Sequence, residues 1–124
     1  MTDVLLLTGA TGMVGREVLR RAAADPRYRA VLCLIRPTAD ATAEQRLVAL
    51  AERNDIDTGR LHAVAGDVTE PGLGVDPALL SEVTQVIHCA ASVSFDLPLA
   101  AARRINVDGT RNVIDVCAGL PRLR

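Results

Sequence analysis

The sequence predicts an α/β fold, a parallel sheet of strand order 3-2-1-4 with helices on both faces, and three observations carry that prediction. Short apolar runs alternate with segments of helical periodicity along the 124 residues. The first run passes directly into Thr8-Gly9-Ala10-Thr11-Gly12-Met13-Val14-Gly15, three glycines spaced three apart that open a helical segment. No repeat, low-complexity tract or linker interrupts the pattern, so residues 1–124 read as one domain. Strands joined through helices form right-handed βαβ units and hence a parallel sheet. In the order 3-2-1-4 the first strand is central and the glycine turn falls where the connection reverses, which is where such sheets bind ligands.

Val4 to Thr8 is too short for a helix and continuous enough for a strand buried on both faces. A helix follows from about Gly12 to Asp25, with Gly15, Val18, Leu19 and Ala22 on one inward stripe and Asp25-Pro26 as its stop. Ala30 to Ile35 is the second strand, closed by a polar break that contains Pro37. The second helix runs from about Thr42 to Asn54, with Thr42 and Gln45 at capping-box spacing and Leu47, Leu50 and Ala51 on one face. Leu61 to Ala65 is the third strand, closed by Gly66-Asp67, and a loop punctuated by Gly and Pro runs from Thr69 to Val75. Asp76 to Val83 is expected to be a short helix, capped by Asp76 with Pro77 at its first position. Gln85 to Cys89 is the fourth strand. From about Leu97 to Ala118 the pattern is one long helix, with Ala101, Ile105, Val113, Val116 and Cys117 toward the core and Gly109 as a place to bend.

Composition excludes several classes. At 49% apolar residues the chain can bury a real core, yet no apolar run reaches the roughly 20 residues of a bilayer span. No basic segment precedes Val4 to Leu7, so a signal peptide is not indicated and the cytoplasm is the expected compartment. The 14 basic residues are all arginine, the acidic residues number 15, and only Tyr28 and Phe95 are aromatic. That balance offers neither a phosphate-tracking patch nor a base-stacking platform, and nucleic acid is not an expected partner. Cys33, Cys89 and Cys117 are far apart without a C-x-x-C pair, which reads as buried free thiols and not as a disulfide framework or a zinc site.

The glycine turn is the strongest chemical signal. Gly9 suits a tight turn, Gly12 lets a phosphate approach the backbone, and Gly15 lets helix and strand pack closely, while the N–H groups and dipole at the helix start favour a diphosphate. An acidic residue at the end of the second strand would bind the ribose 2′-hydroxyl of NAD. Arg36 stands there instead, and a guanidinium pairs with a 2′-phosphate in a two-pronged geometry and also lies flat on adenine. Arg46, ten residues on, brings a second positive charge to the same phosphate. The cofactor expected is therefore NADP(H), the alternative for both side chains being solvated surface arginines. Asp67 ends the third strand where it can accept from the adenine amino group, with Val68 adding backbone contacts; the alternative is a turn aspartate. The small residues Ala90, Ala91 and Ser92 leave room for the nicotinamide half. His88 and Cys89 point to opposite faces of a strand and lack the further ligands zinc needs, so core packing is their reading and no metal is expected.

Thr8 to Gly15, Leu34-Ile35-Arg36, Gly66-Asp67-Val68-Thr69-Glu70-Pro71, Val86 to Val93 and Asn106-Val107-Asp108-Gly109-Thr110 resemble, in order and spacing, the extended short-chain dehydrogenase/reductases with their Rossmann-type NAD(P)-binding domain. Within that group the Gly-Asp-x-Thr-Glu-Pro and Ile-His-Cys-Ala-Ala pieces are most similar to the thioester-reductase branch, which includes fatty acyl-CoA reductases and the reductase domains of carboxylic acid reductases and nonribosomal peptide synthetases. The resemblance implies that Thr8 to Gly15 meet the diphosphate, Arg36 and Arg46 the 2′-phosphate end, Asp67 and Val68 the adenine, and Ala90 to Ser92 the nicotinamide side. It places Asn106 in a helix that supports the active site. It also implies hydride delivery from NADPH to an acyl thioester, releasing an aldehyde.

The family's proton donor is a tyrosine in a Tyr-x-x-x-Lys pair after the fifth strand, with a Ser or Thr nearby. This chain has no lysine, its one tyrosine lies between the first helix and the second strand, and it ends at Arg124 where a fifth strand is expected to begin. No catalytic residue carries over. The expectation is the cofactor-binding amino-terminal portion of a reductase, inactive alone, that meets an acyl thioester only as part of a complete enzyme. The alternatives are a non-catalytic NADP-binding sensor or interaction module, and a fragment of a sugar-nucleotide epimerase or dehydratase. An open fourth-strand edge would also favour self-association.

Overall fold

The computed structural model describes residues 3–91 and 96–124. Four strands, β1 (Asp3–Thr8), β2 (Tyr28–Ile35), β3 (Leu61–Ala65) and β4 (Gln85–His88), form one parallel sheet in the order β3-β2-β1-β4. Helices α1 (Met13–Ala24) and α2 (Ala43–Asn54) make the first two crossovers. A third helical segment comprises α3 (Leu99–Arg103), a π-helical turn (Arg104–Asp108) and α4 (Gly109–Gly119). The predicted α/β order is the observed one.

The central position of β1 follows from its sequence. Val4 to Leu7 carry apolar side chains at every position, so both faces need covering. Leu5 and Leu7 enter a core shared with Leu19 of α1 and Leu47 and Leu50 of α2. Val4 and Leu6 enter a second core with Leu73, Leu80, Val83 and Val113 of α4. The sheet is thus covered on both faces, and the strand ends are drawn level. Thr8 is in register with Leu34 and His88, and Ile35 with Ala65, so the residue after each strand emerges on a single edge.

Local signals set most boundaries. Thr42 and Gln45 form the expected capping box: the Thr42 hydroxyl accepts from Gln45 N at 3.1 Å, and Gln45 Oε1 accepts from Thr42 N at 2.9 Å. Asp76 caps as expected, its Oδ1 accepting from Ala78 N at 3.0 Å, but the helix expected over Asp76 to Val83 is a single 3-10 turn, Pro77–Leu80. Leu80 and Val83 are drawn into the core, and the chain turns into β4 before a second helical turn can form. The long carboxyl-terminal helix starts at Leu99 and is interrupted not at Gly109 but in the π turn just before it. Gly109 is buried against Val68, where an added Cβ would lie 3.1 Å from Val68 Cγ2. Within Thr69 to Val75, Gly72 and Leu73 both adopt left-handed backbone, φ 65° and 61°. For a leucine this costs about 1–2 kcal/mol, offset by full burial of the side chain, which contributes about 1.5–3 kcal/mol.

Arg60, just before β3, closes the carboxyl end of α1. Its Nη1 donates to Asp25 O and Tyr28 O at 2.7 and 2.6 Å, and its Nη2 donates to Ala23 O at 2.5 Å. A cation on the negative end of a helix satisfies carbonyls the helix cannot. Arg60→Ala is expected to lower unfolding free energy by about 2–3 kcal/mol, since charged hydrogen bonds are lost and carbonyls are left without their donor. Urea denaturation followed by circular dichroism measures it.

Candidate functional site

The level strand ends open a cleft of about 330 Å³ at the carboxyl edge of the sheet. It is lined by Thr8, Gly9, Ala10, Thr11 and Gly12 from the glycine turn, Arg36 after β2, Arg46 of α2, Asp67 and Val68 after β3, and Ala90 and Ala91 after β4. Eleven of the sixteen sequence-predicted site residues thus come together. Met13 and Val14 project outward from the first turn of α1, and Gly15 lies beneath the turn. Ser92 falls outside the described residues. Asn106 is exposed in the π turn, and its neighbour Ile105 lines the cleft in its place. Ile105 therefore serves the cleft and not the deep core expected of it.

The three glycines have different physical roles. Gly9 has φ +79°, and a Cβ there would meet Ala90 N and the Cys89 carbonyl carbon at 2.5 Å. Gly15 is closed from below, since its Cβ would sit 1.7 Å from Gly9 O. Gly12 is open: its Cβ would touch only Gly9 O, at 3.5 Å, and otherwise occupy the space in front of the helix. Gly12 is also the N-cap of α1, with no capping side chain and no acidic residue in the first turn. Helix α2 satisfies its own amino end, whereas α1 presents its amino end to the cleft, an arrangement suited to an anion.

The cleft carries opposite charges at defined points. Arg46 Nη1 donates to the Arg36 carbonyl oxygen, which ties α2 to the end of β2, and both arginines line the cleft. Asp67 Oδ1 accepts from Thr69 N at 2.9 Å and from Thr69 Oγ1 at 2.8 Å. Burial opposes the charge of Asp67, but these donors, with Arg36 and Arg104 nearby, outweigh it and hold the carboxyl below its usual range. Asn112 Nδ2 of α4 donates to Val68 O at 2.8 Å and fixes the next residue of the same wall. In the sequence Thr69 stood only in the Gly-Asp-x-Thr-Glu-Pro resemblance and Ile105 only as a core contact, and Asn112 carried no signal, because only the fold of the third helical segment brings Ile105 and Asn112 here.

Beneath the cleft the Thr8 hydroxyl accepts from Cys89 N at 3.1 Å and Ala90 N at 3.2 Å and meets His88 Nδ1 at 2.6 Å. His88 and Cys89 do face opposite sides of the sheet, Cys89 packing on the α1–α2 core and His88 reaching Thr110 of α4. All three thiols are free, but only Cys33 is buried as expected, Cys89 and Cys117 being part-buried; desolvation raises each above its ordinary value, Cys33 to about 12. Among the described residues no group of three or more His, Cys, Asp or Glu could hold a metal ion, and no helix is long and apolar enough to cross a membrane.

Comparison with known proteins agrees with this geometry. The NAD-binding family described as male sterility protein matches residues 7–124. A peramine synthetase of Metarhizium rileyi is 32% identical over 130 residues, covering 97% of this chain and 4% of the relative. Among solved structures, the terminal R domain from the myxalamid PKS-NRPS pathway superposes with a TM-score of 0.82 at 28% identity, over 99% of this chain and 33% of that one. The reductase domain of a nonribosomal peptide synthetase from Mycobacterium tuberculosis gives a TM-score of 0.74 at 31% identity, over 100% of this chain and 32% of that one. The chain thus spans about a third of the solved reductase domains it matches. With its glycine turn, its strand order and the match over residues 7–124, the chain belongs to the male sterility family of NAD(P)-binding domains, in the thioester-reductase branch of the extended short-chain dehydrogenase/reductases.

Proposed function

We propose that this chain is the NADP(H)-binding part of a reductase domain that converts a carrier-bound or coenzyme-bound acyl thioester to an aldehyde. The observation that carries the cofactor assignment is that Arg36 and Arg46 both line the cleft at the end of β2, in the same cleft as the uncapped amino end of α1. The turn would hold the diphosphate on backbone N–H groups, the two guanidinium groups the 2′-phosphate, and Asp67 and Val68 the adenine. Ala90 and Ala91 would leave room for the nicotinamide. The bound cofactor supplies hydride, and this chain supplies its grip and orientation.

The proton donor is not among these residues. The only tyrosine, Tyr28, is buried at the amino end of β2, opposite the cleft, where its hydroxyl donates to Gln85 Oε1 at 2.7 Å. With no lysine in the sequence, a Tyr-Lys pair has no counterpart on the chain. Binding is therefore the activity of this chain alone, and turnover belongs to a complete reductase domain.

Titration with NADPH and NADH, on the wild type and on Arg36→Asp, tests the cofactor assignment. Loss of the Arg36 guanidinium is expected to weaken NADPH about 10- to 100-fold, the equivalent of about 1.5–3 kcal/mol, and to shift preference toward NADH. Unchanged preference would remove Arg36 from the site. Among the described residues β4 pairs with β1 alone, and this free edge is the proposed surface for self-association. Sedimentation velocity is expected to show a concentration-dependent dimer; a monomer at all concentrations would count against it.

A further inference from the structure

We infer that His88 is a positioning residue of the cleft, held as the neutral tautomer with its proton on Nε2, and that it sets the Cys89–Ala91 wall against β1 and α4. The assignment comes from hydrogen-bond direction. A threonine hydroxyl has one proton to give and two lone pairs to accept with. The Thr8 hydroxyl oxygen accepts from Ala90 N at 3.2 Å and shares the Cys89 N–H with the Thr8 backbone carbonyl, each at 3.1 Å, and both amides can only donate. Among the described residues the one acceptor within reach of the Thr8 proton is His88 Nδ1 at 2.6 Å, so that nitrogen accepts. The ring proton then lies on Nε2, which donates to Thr110 Oγ1 at 3.2 Å, and the Thr110 proton passes to the Asn106 carbonyl at 2.8 Å.

The result is a one-way chain from the end of β1 through β4 to the π turn that carries Ile105. The first two links join β1 to β4 and β4 to α4, the last stays within the third helical segment, and Thr8 is fully buried. A proton on Nδ1 would face the Thr8 O–H and leave that buried hydroxyl proton without an acceptor among the described residues. Burial of the ring favours the uncharged form and lowers its pKa from the ordinary value of 6.5, in agreement with this arrangement. Packing alone would leave the tautomer undetermined.

The consequence for the cofactor rests on the NADP(H) reading above, whereas the tautomer does not, and the two are tested separately. Long-range ¹H–¹⁵N correlation spectra of the ligand-free chain at pH 7 are expected to show His88 with a pyridine-type Nδ1 and a pyrrole-type Nε2. The opposite tautomer, or a protonated ring, would overturn the inference whether or not the chain binds NADPH. For the wall, His88→Leu keeps an apolar body of similar reach but offers Thr8 no acceptor, while His88→Asn places an oxygen near the Nδ1 position. NADPH affinity, corrected for the folded fraction, is expected to fall about 10-fold in H88L and to recover in part in H88N. H88L binding as tightly as the wild type, or H88N no better than H88L, would overturn the positioning role; a wild type that binds no NADPH would sink the cofactor assignment and leave the spectrum to decide this one.

Discussion

Gly15→Ala is expected to lower the stability of this chain by about 3–5 kcal/mol, a large share of the about 5–15 kcal/mol that holds a domain of this size together. The sign is the informative part. Gly15 lies in the first turn of α1, and helix propensity by itself would make alanine about 1 kcal/mol better there. The tertiary structure reverses this, because the added methyl would sit 1.7 Å from the Gly9 carbonyl oxygen and 2.4 Å from its carbon. Those are backbone atoms of the turn, and they cannot swing aside as a flexible side chain can. Either α1 lifts from β1 or the turn opens. Urea denaturation of the two proteins measures the difference, and an alanine variant as stable as the wild type would show that the helix and turn are not packed in this way.

Gly12→Val is expected to do the reverse, leaving the fold nearly intact and removing the ligand. The backbone at Gly12 is extended, φ −83° and ψ 174°, which valine adopts readily, and the new Cβ would meet only Gly9 O at an ordinary 3.5 Å. Loss of glycine from the N-cap costs about 1 kcal/mol at most. The isopropyl group would occupy the space in front of the α1 amino end, where the diphosphate is proposed to lie. NADPH affinity is expected to fall about 100-fold, equivalent to about 2.8 kcal/mol. Calorimetric titration beside a thermal melt separates the two effects. Full binding by the valine variant would place the diphosphate elsewhere, and joint loss of binding and folding would assign Gly12 a structural role like that of Gly15.

The contrast between these glycines marks what was legible in the sequence. Their spacing identified the turn, and the strand before it with the helix after it identified the edge of the sheet. The start of α2 at Thr42 and the turn at Asp67 were also within reach, since capping boxes and aspartate turns are local. Leu73 was not legible, because nothing in Pro71 to Gly74 announces a leucine in left-handed backbone; its burial against the second face of the sheet decides that. His88 read as a packed residue, and only the register of β4 with β1 showed it to be hydrogen-bonded at both ring nitrogens. The short helix expected from Asp76 became a single turn for a related reason: the cap chemistry was right, but core contacts of Leu80 and Val83 shortened what followed.

By itself, then, the sequence determined the alternation of strands and helices, the parallel sheet, the glycine turn and the charge that stands at the end of β2. These follow from apolar periodicity and backbone sterics, which act over a few residues. The tertiary structure decided which glycine is closed and which is open, how Arg46 reaches Arg36, where the last helix widens into a π turn, and how Thr8, His88 and Thr110 meet. Thr8 and His88 are 80 residues apart, and their contact exists only once sheet register brings two strand ends level.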